Sequence, residues 1–153
     1  MAVMILTGLL ITASLYDIRT MKIPIWLAVV HILAAIISAV SDVIMNGTAV
    51  KDYSLTITVI LLIVAVAVFL RLTEADAAGF ADGLLMIAVC MVIRAERAIL
   101  VFGLAFILAG LFAGVLMMMK RAGRKSRIPF IPFLTVGLLI CMILTDIGDI
   151  QLI

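Results

Sequence analysis

Two aspartates stand where long apolar segments of this chain meet short polar connections. Asp17 follows the apolar run at residues 2–16, and Asp82 opens the run at residues 82–93. Carboxylates at membrane depth are costly and usually mark function. Two carboxyl groups that meet can share one proton, because like charges a few ångströms apart cannot both ionise cheaply. The ionised member can then take a proton from water while the neutral member polarises a carbonyl, which would hydrolyse an amide without a metal.

Each aspartate also has a structural interpretation. Asp17 could be an interfacial acid that pairs with Arg19 or Lys22. An Asp at the C-terminus of a helix, however, opposes the helix dipole, so stability alone is a weak reason to place one there. Asp82 could be the N-cap of the helix that it opens, a role that Asp often fills. The two residues by themselves leave both alternatives open.

The composition places these acids in a membrane protein. The chain has 153 residues, 67% hydrophobic and 13% charged, and its mean hydropathy is +1.45. Soluble domains average nearer ~50% apolar and ~25% charged residues. Because a transmembrane helix needs about 20 apolar residues, a chain of this length has room for about six spans with short connections. We therefore predict an all-α, polytopic membrane protein that forms a single membrane-embedded domain over residues 1–153.

Six apolar runs predict the positions of these helices, since backbone polar groups in lipid need partners within the chain. The runs lie at about residues 2–16, 24–41, 54–70, 82–93, 98–119 and 128–145. The first and fourth are short for a span, so we expect their helices to extend into the polar flanks and to include Asp17 and Asp82. No basic residue precedes the first run, which favours a retained span over a cleaved signal.

The distribution of cations predicts the orientation in the membrane. If successive spans alternate in direction, three connections share one side: residues 17–23, 71–82 and 120–127. They carry eight of the eleven Lys and Arg residues, so the positive-inside rule makes this side cytoplasmic and puts the N-terminus outside. Asp17 and Asp82 are both predicted at the cytoplasmic face of the cell (inner) membrane. Glu74 and Asp76, on the same side, are interpreted as solvated loop charges.

The remaining polar residues predict neither a cofactor nor a metal. Cys90 and Cys141 lie in apolar runs and form no CxxC pair, so neither a disulfide framework nor a zinc site is expected. The basic loop KRAGRKSR, residues 120–127, is interpreted as a topology determinant that contacts anionic headgroups, and no nucleic-acid partner is expected. His31 is more typical of an interhelical hydrogen bond than of a ligand. Trp26 fits an interfacial anchor.

Three motifs give the chain a resemblance to a known family. YDIRTMKIPIWL, residues 16–27, resembles the first catalytic segment of type IV prepilin peptidases, which are aspartic membrane proteases. GFAD, residues 79–82, resembles the second motif of that family, Gly-x-Gly-Asp. RIPFIPFLTVG, residues 127–137, resembles a third stretch of the form Pro-Phe-x-Pro-Phe-Leu. The motifs occur in the family's order, and their joint match is far more specific than any one of them.

The resemblance implies roles for individual residues. Asp17 and Asp82 take the positions of the two catalytic aspartates. The other residues that match or flank the motifs are expected to support them: Lys22, Pro24, Gly79, Gly83, Pro129 and Pro132. No cofactor is implied.

The chain also departs from the family pattern. Ile25 stands where many members have Asn, and Ala81 replaces the second glycine of the second motif. Gly83-Leu84 replaces the commoner Val-Lys, which removes a possible electrostatic partner for the substrate. The N-terminal methyltransferase region with CxxC pairs that larger bacterial members carry has no counterpart here. The resemblance therefore points to short, peptidase-only members associated with tight-adherence or Flp pili, or to archaeal preflagellin peptidases.

The implied function is that of an aspartic endopeptidase. Its expected partners are the lipid bilayer and a prepilin-like precursor, whose basic leader it removes at the cytoplasmic interface. The alternative is a non-enzymatic transport or pilus-assembly subunit whose acids bind ions or a partner's basic loop. That alternative explains the hydrophobicity and topology equally well. It does not explain why two same-side aspartates occur together with the Ile-Pro and Pro-Phe-x-Pro-Phe stretches.

Overall fold

The described part of the protein is built from helices. A computed structural model describes residues 2–21, 23–47, 53–72, 80–120 and 128–147. Five helices occur there: α1 (Ala2–Thr20), α2 (Ile25–Asn46), α3 (Ser54–Leu72), α4 (Phe80–Met118) and α5 (Ile131–Ile147). These ranges contain no strand. The prediction of an all-α fold is confirmed.

The helix lengths follow the apolar runs and their expected extensions. Three described helices are long and apolar enough to cross a membrane, with windows at Val3–Thr20, Ile25–Met45 and Ala81–Met118. Shorter apolar stretches lie at Ser54–Val66 and Ile131–Leu144. α1 continues past Asp17 to Thr20, and α4 begins two residues before Asp82. Both polar flanks are therefore helical, as predicted from the short first and fourth runs.

α4 takes the place of two predicted helices. It has 39 residues, but Arg94 has φ 64° and ψ 159°, so the helix is broken there. The connection predicted at residues 94–97 is thus reduced to a break at one residue, and the six apolar runs correspond to six helical segments. How many of these segments cross the membrane stays a prediction.

The backbone conformation of Arg94 leads to a prediction about stability. Its φ and ψ lie in a region that is essentially restricted to glycine, and a non-glycine residue held there costs ~1–3 kcal/mol. The Arg94 guanidinium carbon lies 5.6 Å from the centre of the Tyr53 ring. Arg94→Gly and Arg94→Ala both lose that contact, but only glycine relieves the backbone. We expect Arg94→Gly to be the more stable variant by ~1–3 kcal/mol, measured by unfolding in detergent. Equal stability of the two variants would contradict the strain.

The outer surface of the bundle is apolar. Met4, Ile44 and Leu61, on three different helices, are 73%, 75% and 62% exposed. Water-soluble proteins rarely expose contiguous apolar patches of this kind, whereas lipid tails solvate them without cost. The exterior and the apolar helices together indicate a membrane protein.

The core lies where α4 packs against α1, α2, α3 and α5. Many of its fully buried positions on α4 are alanine, including Ala88, Ala98 and Ala105. Small residues let helix backbones approach closely, which is a common mode of helix packing in membranes. One close approach is at Gly137 of α5, where a Cβ atom would lie 2.9 Å from the Val101 carbonyl oxygen. α4 and α5 are therefore packed backbone against backbone.

A second stability prediction concerns Gly137. Gly137→Ala is expected to destabilise the fold by ~1–3 kcal/mol, because the new methyl group must push one helix backbone away from another. Gly103 is the matched control, since it is an exposed helical glycine of α4 with no atom within 4 Å of a built Cβ. Gly103→Ala is expected to be neutral, or stabilising by up to ~1 kcal/mol. Unfolding of both variants in detergent measures the difference, and equal stabilities would argue against the close contact.

Candidate active site

Asp17 is a buried carboxylate at the C-terminal end of α1. Only 6% of its surface is exposed. Its Oδ2 accepts a hydrogen bond from the backbone N–H of Ile131 at 3.1 Å, and the backbone of Phe130 also lies against the carboxyl group. These groups form the N-terminus of α5, where backbone N–H groups have no partner within the helix and the dipole favours negative charge. Asp17 therefore caps α5 from another helix.

This contact differs from the structural alternative considered for Asp17. Ile131 is 114 positions away in the sequence, whereas Arg19 is two positions away on the same helix. Residues at i and i+2 do not face each other on a helix, and Arg19 is exposed. Within the described residues, the partner of Asp17 is thus the start of α5 and not the neighbouring arginine.

The third motif determines which backbone amides the start of α5 offers. Pro129 precedes the helix and Pro132 is its second residue, so neither position has an N–H. Proline destabilises a helix little at this end, because N–H groups in the first turn have no acceptor within the helix. The N–H groups of Phe133 and Leu134 both bond to the carbonyl oxygen of Phe130. The N–H of Ile131 donates instead to Asp17. This bond brings the first and third motifs into contact.

Pro24 begins the next helix beside Asp17. It occupies the N-cap position of α2, with φ −65° and ψ 135°, and its carbonyl accepts a bond from Leu27 N–H at 3.0 Å. The preceding turn includes Met21 at φ 49°, whose N–H bonds to the Asp17 carbonyl at 2.8 Å. α2 therefore starts within a few residues of the end of α1, and the two helices pack against each other.

Asp82 lies in the first turn of α4 and is partly buried. Because the helix begins at Phe80, Asp82 is its third residue and not its N-cap, contrary to the alternative considered from sequence. The partly buried Gly83 follows it. A carboxylate in a first turn is favoured by the helix dipole. Four residues named from the sequence lie outside the described part of the chain: Lys22, Glu74, Asp76 and Gly79.

Contacts in the middle of α4 locate the end that carries Asp82. Tyr53 donates a hydrogen bond to Asp42 Oδ2 at 3.2 Å, and the Ala95 N–H donates to Thr56 Oγ1 at 3.2 Å. These contacts join the C-terminal half of α2, the start of α3 and the break in α4. They lie at the end of the bundle away from the α1–α2 turn.

The direction of α4 follows from these contacts. Its break at Arg94 lies at the far end of α2. Leu85 and Val89, in the segment before the break, are fully buried, so this segment extends from the break back into the bundle, towards the end where α2 starts. Asp17 lies beside that start. The Asp82 end of α4 is therefore directed towards the Asp17 end of the bundle. Direct contact between the two carboxyl groups stays a prediction.

Sequence reasoning missed two buried hydroxyl groups near Asp17. Ser14 Oγ and Thr135 Oγ1 are 2.6 Å apart between α1 and α5. The signal was present in the spacing, because Ser14 lies one turn before Asp17, and Thr135 lies one turn after the start of α5. It could not be used, since the sequence does not show that α1 and α5 are neighbours.

The other polar residues named from the sequence lie outside this cluster. His31 is fully buried. Its Nδ1 lies 2.7 Å from the Leu27 carbonyl oxygen of its own helix, and the backbone of Leu9 on α1 also lies against the imidazole. Trp26 is exposed at the start of α2, and Cys90 is buried in α4. Within the described ranges, no group of three His, Cys, Asp or Glu side chains could hold a metal ion.

Comparison with known proteins connects this geometry to a family. A family model described as the type IV leader peptidase family matches residues 4–114. No curated protein and no solved structure matches the chain. The matched region contains Asp17, Asp82 and the first two motifs, and it ends before the third motif and α5. Because the match spans more than half of the sequence and includes both aspartates, the chain belongs to the type IV leader peptidase family.

Proposed function

We propose that this protein is an aspartic endopeptidase that removes the leader from type IV prepilin-like precursors. The observation that carries the proposal is the burial of Asp17 at the end of α1, with its Oδ2 bonded to the first amide of α5. In a leader peptidase family, a carboxylate fixed at the boundary of an apolar helix is suited to proton transfer, because its position and orientation are set before substrate binds.

In the proposed mechanism, Asp17 and Asp82 share one proton. The ionised carboxylate takes a proton from water, and the water oxygen forms a bond to the carbonyl carbon of the scissile amide. The neutral carboxyl group gives its proton to the carbonyl oxygen. The carboxyl group that took a proton from water then gives it to the amide nitrogen, while the other carboxylate takes a proton from one hydroxyl group of the tetrahedral intermediate. The C–N bond breaks, the leader leaves as a carboxylic acid with the mature chain as a free amine, and the pair again holds one proton.

The proposed setting is the cytoplasmic interface of the cell (inner) membrane, with the N-terminus outside. Eight of the eleven cations lie in connections on the side that carries both aspartates, which supports this orientation. Water is available at that depth. The apolar helix of the precursor would lie in the membrane against the apolar exterior of the bundle, with its basic leader in the cytoplasm.

Co-expression with a prepilin from the same genome tests the function. We expect the precursor to shorten by its leader when the wild-type protein is present, read by immunoblot and by mass spectrometry of the new N-terminus. The matched control is the double variant Asp17→Asn/Asp82→Asn at the same membrane abundance, which should leave the precursor intact. A precursor that keeps its leader beside folded wild-type protein would contradict the proposal. It would favour the non-enzymatic transport or assembly subunit instead.

A further inference from the structure

Two buried hydroxyl groups join α1 to α5 one turn from Asp17. Ser14 and Thr135 are 8% and 5% exposed, and their oxygens are 2.6 Å apart. Thr135 Oγ1 also lies 3.0 Å from the Ile131 carbonyl oxygen and 3.4 Å from that of Leu10. A hydroxyl group has one proton to donate. Thr135 therefore donates towards these carbonyl oxygens and accepts the hydrogen bond of Ser14.

This hydroxyl pair and the bond between Asp17 and Ile131 form two parallel cross-links. Ser14 lies three residues before Asp17 on α1, and Thr135 lies four residues after Ile131 on α5, so each pair shares one face of its helix. A single hydrogen bond fixes one distance between two helices. Two bonds one turn apart also fix how far the helices can slide and rotate against each other.

We propose that Ser14 and Thr135 are positioning residues for Asp17, an inference that rests on the proposed peptidase function. They act through the backbone of Ile131 rather than on the substrate. Without their bond, one constraint on the position of α5 along α1 is lost, so the amide of Ile131 can shift and the Asp17 carboxyl group shifts with it. Because a misplacement of about 1 Å can cost ~100-fold in rate, Thr135→Val is expected to lower kcat roughly 10- to 100-fold with little change in KM.

Thr7 supplies a matched control on the same interface. Thr7 is 9% exposed. Its hydroxyl group donates to the Val3 carbonyl oxygen at 2.7 Å and lies 3.7 Å from Met142 Sδ on α5. Thr7 is ten residues before Asp17, which is about 15 Å along a helix. Thr7→Val should disturb the packing of α1 on α5 and leave kcat unchanged.

Steady-state kinetics of leader removal by the purified full-length protein tests the inference. Thr135→Ser keeps the hydroxyl group and should restore most of the activity lost in Thr135→Val. Ser14→Ala should reproduce the loss, and the double variant Ser14→Ala/Thr135→Val should be no worse than either single one, because all three remove the same bond. If Thr135→Val does not fold, the comparison of Ser14→Ala with Thr7→Val decides the question.

Two outcomes would overturn the positioning role. One is an unchanged kcat in Thr135→Val or in Ser14→Ala, and the other is an equal loss in Thr7→Val. Asp17→Asn separates this inference from the proposed function. Full cleavage by Asp17→Asn would contradict the proposed function itself. An inactive Asp17→Asn together with fully active Ser14 and Thr135 variants would contradict only the positioning role.

Discussion

Asp17→Asn is expected to lower the rate of leader removal by ~10²- to 10⁴-fold, the contribution typical of a positioned acid or base. An asparagine amide neither takes a proton from water nor gives one to a carbonyl oxygen. Its side-chain oxygen can still accept the N–H of Ile131, the bond that Asp17 makes at 3.1 Å. The contact between α1 and α5 should therefore survive while the chemistry is lost.

Asp17→Ala is the matched comparison, because it removes both the acid and the cap on α5. The N–H of Ile131 would then be buried without its acceptor, and we expect a further loss of ~1–3 kcal/mol of stability. Rates of leader removal and unfolding temperatures in detergent, measured on both variants, separate the two roles. Cleavage that persists in Asp17→Asn, together with instability of Asp17→Ala, would show that this aspartate is only a structural cap.

Asp82→Asn should abolish cleavage to a similar extent, ~10²- to 10⁴-fold, since a shared proton requires both carboxyl groups. Its effect on stability should be small, because Asn is also tolerated in the first turn of a helix. The double variant with Asp17→Asn should be little worse than either single variant, as is usual for residues that act as a unit. The same leader-removal assay measures all three.

Glu74→Gln and Asp76→Asn are the controls for this second prediction. Both acids belong to the connection that leads to Asp82, and substitution of either should leave most of the activity. If one of these variants lost cleavage while Asp82→Asn kept full activity, the substituted residue, and not Asp82, would be the second acid of the pair.

The helices were predictable because lipid constrains them strongly. An apolar run in a membrane has to satisfy its own backbone, so run length alone predicted that α1 and α4 extend into polar residues and include Asp17 and Asp82. The break in α4 was predictable in part. Arg94, Glu96 and Arg97 mark an interruption in the apolar pattern, but no pattern of residue types predicts that one residue at φ 64° is enough to make it.

The surroundings of Asp17 were not predictable from one sequence. Local spacing offered Arg19 or Lys22 as a partner, whereas the partner seen among the described residues is a backbone amide 114 positions away. Every residue except proline offers a backbone N–H, so the residue type gave no reason to single out Ile131. The prolines beside it were recognised only through the family resemblance, and the fold supplies their physical reason.

α5 has a consequence for what counts as the catalytic unit. It lies beyond the matched residues 4–114, yet it supplies the amide bonded to Asp17 and the glycine that lets its backbone approach α4. A shortened protein that ended with the matched region would retain both aspartates and lose the helix that contacts both of the helices carrying them. The matched region thus depends, for the placement of the Asp17 carboxyl group, on a helix that lies outside it.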